Sequence, residues 1–173
     1  MAVAGQQPIV NTQGGLQAVR QDVPRVLKAL GASSLEALGW TQPDALTMLI
    51  PLSASIEGVT DNYLLKLGFH CYRAWPPSAQ FVNPDTGQYV WPGDQPCMPR
   101  LESPECRTHP NYLTPTGTGI QLICCSATLE FYQVLHSVEP QHVWNGTSTF
   151  LTTLKAIQRA MQSHYRGRFP RHA

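Results

Sequence analysis

Between Pro84 and Gly119, prolines and glycines recur so often that no long helix or strand can cross the segment. A fold for this chain must therefore be assembled from the stretches on either side, with a long irregular excursion between them. Excursions of that length in a compact domain are usually functional, because binding and catalytic groups concentrate on connections held by a rigid scaffold. This one is expected to form a wall over whatever site the flanking stretches build.

The upstream stretch opens helical. In "VRQDVPRVLKALG", Val23, Val26, Leu27 and Leu30 recur at helical spacing, with Asp22 as the cap, Pro24 in the first turn and Gly31 as the stop. "SSLEALG" adds Ser33 and Glu36 at capping-box spacing. Two strands follow in "LTMLIPLSASIEG" and "NYLLKLGFHCYRAW", the second placing Tyr63, Leu65, Leu67, Phe69 and Cys71 on one face, and "GVTDN" links them as a hairpin. Downstream, "GIQLICCSATLEFYQVL" reads as a strand. "STFLTTLKAIQRAMQSHY" sets Phe150, Leu151, Leu154, Ile157 and Met161 along one face of a closing helix. The order predicts an α+β domain, an antiparallel β-meander flanked by N-terminal and C-terminal helices.

A chain of 173 residues with 42% apolar and 13% charged residues suits a single domain over 1–173. Its parts are a helical start with the first strand over 1–61, a core over 62–162 and a tail over 163–173. Twelve Lys and Arg against eleven Asp and Glu leave a net charge of +1, which argues against a nucleic-acid partner. The one basic cluster, "HYRGRFPRH", reads as a solvated terminus. No apolar run reaches the ~18 residues of a membrane span, and the start has neither the basic flank nor the apolar core of a signal sequence. The expectation is a cytoplasmic protein with no membrane contact. Five cysteines, two of them adjacent, make a poor disulfide framework and read instead as core, metal or catalytic thiols.

Several motifs stand in a telling order. "YRAWPPSAQF" sets two prolines before a short strand, "HPN" follows at 109–111, a glycine and "IC" follow at 119–124, and Trp144 precedes the last helix. This succession resembles the ubiquitin-conjugating enzyme fold. The likeness covers 62–162 and rests on the order of the motifs. Asn111 lies thirteen residues before Cys124 and Trp144 twenty after it, both longer than the usual spacing. "GTGIQLICCSATLEFYQVLHSVEPQHVW" is similar to the divergent prokaryotic branch found in antiphage ubiquitin-like conjugation systems. The resemblance implies an enzyme that accepts a ubiquitin-like protein from an activating enzyme as a cysteine thioester and passes it to an amine on a target protein. It implies no cofactor and places the contact with the activating enzyme on the first helix.

That chemistry needs an accessible thiol, an oxyanion stabiliser and room for an amine. Cys124 is the candidate nucleophile by its position after the glycine and Ile123, although strand alternation would turn it inward with Ile120 and Leu122 and leave Cys125 on the other face. Asn111 is the candidate oxyanion donor and His109 the organiser of the "HPN" turn. His136 and His142 are candidates to lower the pKa of the thiol or the amine. Glu130 and Tyr132 share the face of Cys124 if the strand runs on, and Glu130 could guide an amine. Two other readings stay open. Cys97, Cys106 and His109, with one of the paired cysteines, could hold zinc, or the domain could bind a ubiquitin-like partner without carrying it.

Overall fold

In the computed structural model of the protein, residues 8–134 and 144–171 are described. The first helix, α1 (Thr12–Leu30), begins well before its apolar repeat, because Asn11 caps it: the Asn11 side chain accepts the Gly14 N–H at 2.9 Å. Gly14 and Gly15 disfavour a helix by propensity, and packing overrides it. Gly15 presses so closely on the chain that a Cβ there would stand 2.0 Å from the Phe69 carbonyl oxygen, and the Asn11 N–H donates to the His70 carbonyl at 2.8 Å. Pro24 therefore lies inside the helix, and Asp22 is buried within it instead of capping it. Gly31 stops the helix in the left-handed conformation, as expected. In the next segment a short 3-10 turn spans Glu36–Leu38 with Leu35 at its N-cap, and the Ser34 hydroxyl, not that of the expected Ser33, accepts the Ala37 N–H at 3.2 Å.

A four-stranded antiparallel sheet follows in chain order: β1 (Thr41–Asp44), β2 (Thr47–Ile56), β3 (Val59–Gly68) and β4 (Ser78–Val82). The β2–β3 hairpin is tighter than "GVTDN" suggests. Only Glu57 and Gly58 lie between the paired residues Ile56 and Val59, both with positive φ, which matches the right-handed twist of the strands. Tyr63, Leu65 and Leu67 on β3 and Phe69 just beyond it are all buried, so the period-two face is borne out.

The proline-rich segment is more ordered than an irregular excursion. It contains a 3-10 turn at Gln95–Cys97, a three-residue strand β5 (Pro99–Leu101) and β6 (Arg107–Leu113). β6 pairs antiparallel with β7 (Gly119–Cys124), and β5 pairs with β8 (Tyr165–Arg168) near the chain end. The basic tail is thus not a free terminus. Tyr165 is buried, and Arg168 reaches the Asp61 carboxylate at 2.7 Å and the Pro96 carbonyl at 3.0 Å. Glu130 and Tyr132 do not continue β7: they lie on a short helix, α2 (Leu129–Gln133). The last helix, α3 (Phe150–Ser163), buries Phe150, Leu151, Leu154, Ile157 and Met161 as its spacing predicts, and it packs against α1 and β2.

The main core joins Val19 and Val26 of α1, Met48 and Ile50 of β2, Leu65 and Leu67 of β3, and Phe150 and Ile157 of α3. Each buried aliphatic side chain contributes roughly 1.5–3 kcal/mol. A second cluster of Cys71, Trp75, Leu129, Phe131 and Tyr132 lies beside it, with Cys124 packed against it.

Candidate functional site

β7 runs along the open edge of β4. An edge strand leaves N–H and C=O groups unpaired, and here side chains supply what a fifth strand would. The Gln121 side chain accepts the Phe81 N–H at 2.7 Å and donates to the Phe81 carbonyl at 2.9 Å. A Glu130 carboxylate oxygen accepts the Ala79 N–H at 3.1 Å, and the Leu129 N–H donates to the Pro77 carbonyl at 3.1 Å. The Pro-Pro turn, β4, β7 and α2 are thereby held as one unit.

The β6–β7 ladder ends at the pair Arg107 and Cys124. There the Cys125 N–H turns back to the Ile123 carbonyl at 2.9 Å, a three-residue turn centred on Cys124. Ile123 and Cys125 both face the main core, and Cys124 between them packs against the second cluster. Cys124 becomes the partly exposed member of the pair and Cys125 is buried. The bend that follows is firmly tied. The Thr128 hydroxyl reaches the Ile123 and Cys125 carbonyls at 2.8 Å each, the Tyr132 hydroxyl donates to the Ser126 carbonyl at 2.9 Å, and the Thr153 hydroxyl donates to the Ala127 carbonyl at 2.6 Å. A half-exposed thiol thus sits on a turn whose next backbone carbonyls are each fixed by a buried side chain. Burial raises the Cys124 pKa above its ordinary value, the neighbouring Cys125 adds to this, and Arg107 offsets part of it.

Asn111 and His109 do not gather round Cys124. "HPN" is not a turn but part of β6, where the pairing shifts between His109 and Tyr112, and the carbonyl of Pro110 accepts the Tyr89 hydroxyl at 2.8 Å. Asn111 lies toward the far end of the hairpin, its side-chain oxygen against Gly119, while Cys124 faces Arg107. Four residues of strand separate Arg107 from Asn111, about 13 Å, and an oxyanion donor must stand at about 3 Å from the oxyanion. His109 faces Leu122, two residues along from Arg107, and packs edge-on against Tyr112 at 5.4 Å between ring centres. Burial first and Arg107 second lower its pKa, which disfavours its cationic form. His136 and His142 lie outside the described residues. Trp144 is buried, its indole N–H donating to the Arg73 carbonyl at 3.0 Å, so it fastens the start of the last segment to the turn before β4.

The zinc arrangement does not form: among the described residues no group of three or more His, Cys, Asp or Glu side chains could hold a metal ion. Cys97 instead lines a groove of about 520 Å³ with Asn83, Asp94 and Arg168, and Cys106 lies against Cys125. That groove belongs to the proline-rich segment and is walled by β8 and the start of β3, so this part of the segment folds over the Asp61 end of the sheet and not over Cys124.

Glu130, Gln121 and Thr128 are the residues around Cys124 that the sequence reading passed over or placed differently. Part of the Glu130 side chain reaches the surface, yet its carboxyl is enclosed, and burial pushes its pKa up to about 7 against two backbone N–H bonds that hold it down. The carboxyl is near enough to Cys71 to raise that thiol's pKa in turn, after burial, which is the larger cause. The signal for Thr128 was a hydroxyl residue standing just before the helix-forming "LEFY". Gln121 had no sequence signal, because its partners lie on a strand forty residues away. Among the described residues no helix is long and apolar enough to cross a membrane. Comparison with known protein families, with characterised proteins and with solved structures finds no match.

Proposed function

We propose that this protein is a conjugating enzyme that carries a ubiquitin-like protein on Cys124, in a bacterial antiviral conjugation pathway. The observation that carries the reading is the turn centred on Cys124. It ends the β6–β7 ladder, brings this thiol and not Cys125 to the surface, and follows the Pro-Pro turn and β4 in the order the motifs imply. The Cys124 thiolate attacks the thioester carbonyl offered by an activating enzyme. A new S–C bond forms, the old one breaks, and the activating enzyme leaves as its thiolate. A target amine then attacks the same carbonyl, loses a proton to solvent and displaces Cys124.

A second reading has an observation of its own. Asn111 stands far from Cys124, and burial raises the pKa of the thiol. Both fit a module that binds a ubiquitin-like protein without carrying it. One experiment separates the two. The genes beside this one are expected to encode an activating enzyme and a ubiquitin-like protein. With those proteins and ATP, the carrier reading predicts a thiol-sensitive adduct that Cys124→Ala abolishes and Cys125→Ala keeps. Binding without any adduct in the wild-type protein favours the second reading.

A further inference from the structure

Three of the five cysteines meet at the base of the β6–β7 hairpin, and two of them have no part in the thioester scheme. Cys106 directly precedes β6 and Cys125 directly follows β7, so the two flank the last pair of the ladder, Arg107 and Cys124, where facing Cα atoms stand about 4.5–5.5 Å apart, a separation that a disulfide bridges. Both residues belong to the main core and are only 1% exposed, and each thiol is the leading influence on the other's pKa. Both are free thiols in this structure.

We infer that Cys106 and Cys125 are a thiol-oxidation site, which a peroxide closes to a reversible disulfide across the hairpin base while Cys124 stays a free thiol. The inference does not rest on Cys124 carrying an acyl group. Access is provided on the Cys106 side by a recess of about 320 Å³ between the segment before β6 and the C-terminal end of α3, lined by Ser103, Glu105, Cys106, Arg159 and His164. A peroxide is scarcely larger than water and fits there. The Cys106 sulfur attacks one peroxide oxygen, the O–O bond breaks, and hydroxide leaves with the thiol proton as water, giving a sulfenic acid. The Cys125 sulfur then attacks the sulfenic sulfur, the S–S bond forms, and the S–O bond breaks with loss of a second water. Two thiols have each given up one electron and one proton, and one peroxide has become two waters.

The paired thiols are suited to this. Cys106 and the Ala127 backbone favour the Cys125 thiolate, while Cys125 and burial hold the Cys106 pKa up, so Cys106 passes its proton to the Cys125 thiolate as its sulfur attacks the peroxide, and that proton then leaves with the hydroxide as water. Cys124 packs against the separate cluster of Trp75 and Tyr132, and a disulfide between the adjacent Cys124 and Cys125 would strain the chain.

The test treats the folded full chain with hydrogen peroxide, blocks remaining thiols in acid with an alkylating agent, and maps the peptides by mass spectrometry with fragmentation between residues 124 and 125. The expected product is a Cys106–Cys125 link that a dithiol reverses, retained in Cys124→Ala and lost in Cys106→Ala and Cys125→Ala, with Cys124 alkylated. Fragmentation of the wild-type product assigns the sulfurs directly, so the result stands even if a variant fails to fold. Recovery of Cys106 and Cys125 as alkylated thiols, a link from Cys106 to Cys124, or oxidation of either sulfur past the disulfide would each overturn the inference.

Discussion

Glu130 shows how one side chain can brace the site and weaken the fold together. Its carboxylate closes the edge of β4 by accepting the Ala79 N–H, yet burial pushes its pKa from the ordinary 4.5 up to about 7. A carboxyl whose pKa is higher folded than unfolded favours the folded state when protonated. Its contribution is therefore greatest below about pH 4.5, declines as pH rises through about 7 and is then constant. Glu130→Gln keeps an acceptor for Ala79 without the charge. It should match the parent in stability near pH 4 and exceed it near pH 8 by up to ~3 kcal/mol, as read by denaturant unfolding across pH. Equal stabilities at both would contradict the enclosed carboxyl. Asn111 gives the opposite lesson. Because it sits against Gly119 at the other end of the ladder, Asn111→Ala should leave discharge of the Cys124 adduct to free lysine within about two-fold of wild type. A slowing of ~100-fold, the scale of a lost oxyanion donor, would place it at the reacting carbonyl after all.

At the scale of elements, what could be read in advance followed the reach of the signal. The stripe Phe150, Leu154, Ile157 and Met161 predicted α3, and Tyr63, Leu65 and Leu67 predicted β3, because amphipathic period is local. In the sequence α2 reads as strand because five residues are too few to establish a helical period. β8 reads as a loose tail because its partner, β5, lies in the proline-rich segment and only the fold brings Leu101 to Tyr165. The start of α1 was missed because Gly14 and Gly15 argue against a helix on propensity alone. Tertiary contact reverses that argument at Gly15, where the helix rests on the backbone of Phe69. Gly15→Ala, stabilising in an exposed helix, should here destabilise by roughly 1–3 kcal/mol through the displaced backbone. A gain in melting temperature would mean that α1 does not make this approach.

Across the whole molecule, one buried ion pair joins the parts. Asp22 of α1 is fully buried and accepts the Tyr72 hydroxyl at 2.5 Å and the Arg73 guanidinium, and the Tyr72 oxygen in turn accepts the Phe150 N–H at the start of α3. First helix, turn before β4 and last helix meet at that carboxylate, which the sequence presented only as a candidate cap. Asp22→Ala would leave the buried Tyr72 hydroxyl and the partly buried Arg73 guanidinium without their partner and should cost about 3 kcal/mol by urea unfolding. A cost no larger than that of a surface substitution would remove Asp22 from this role. Gln121 holds β7 against β4, and Cys124 sits on the turn at the end of β7, so the proposed function rests on one atom, the Cys124 sulfur. Its order among the motifs is legible in the sequence, but its exposure is not, since strand parity alone does not settle which face is covered. The most direct measurement replaces that sulfur by oxygen. Cys124→Ser, mixed with the activating enzyme, the ubiquitin-like protein and ATP that the proposed pathway requires, should yield an oxyester adduct that survives a thiol reductant and is cleaved by alkali. An adduct in this variant that is still released by thiol would mean that another cysteine carries the modifier, and the account of Cys124 would be wrong.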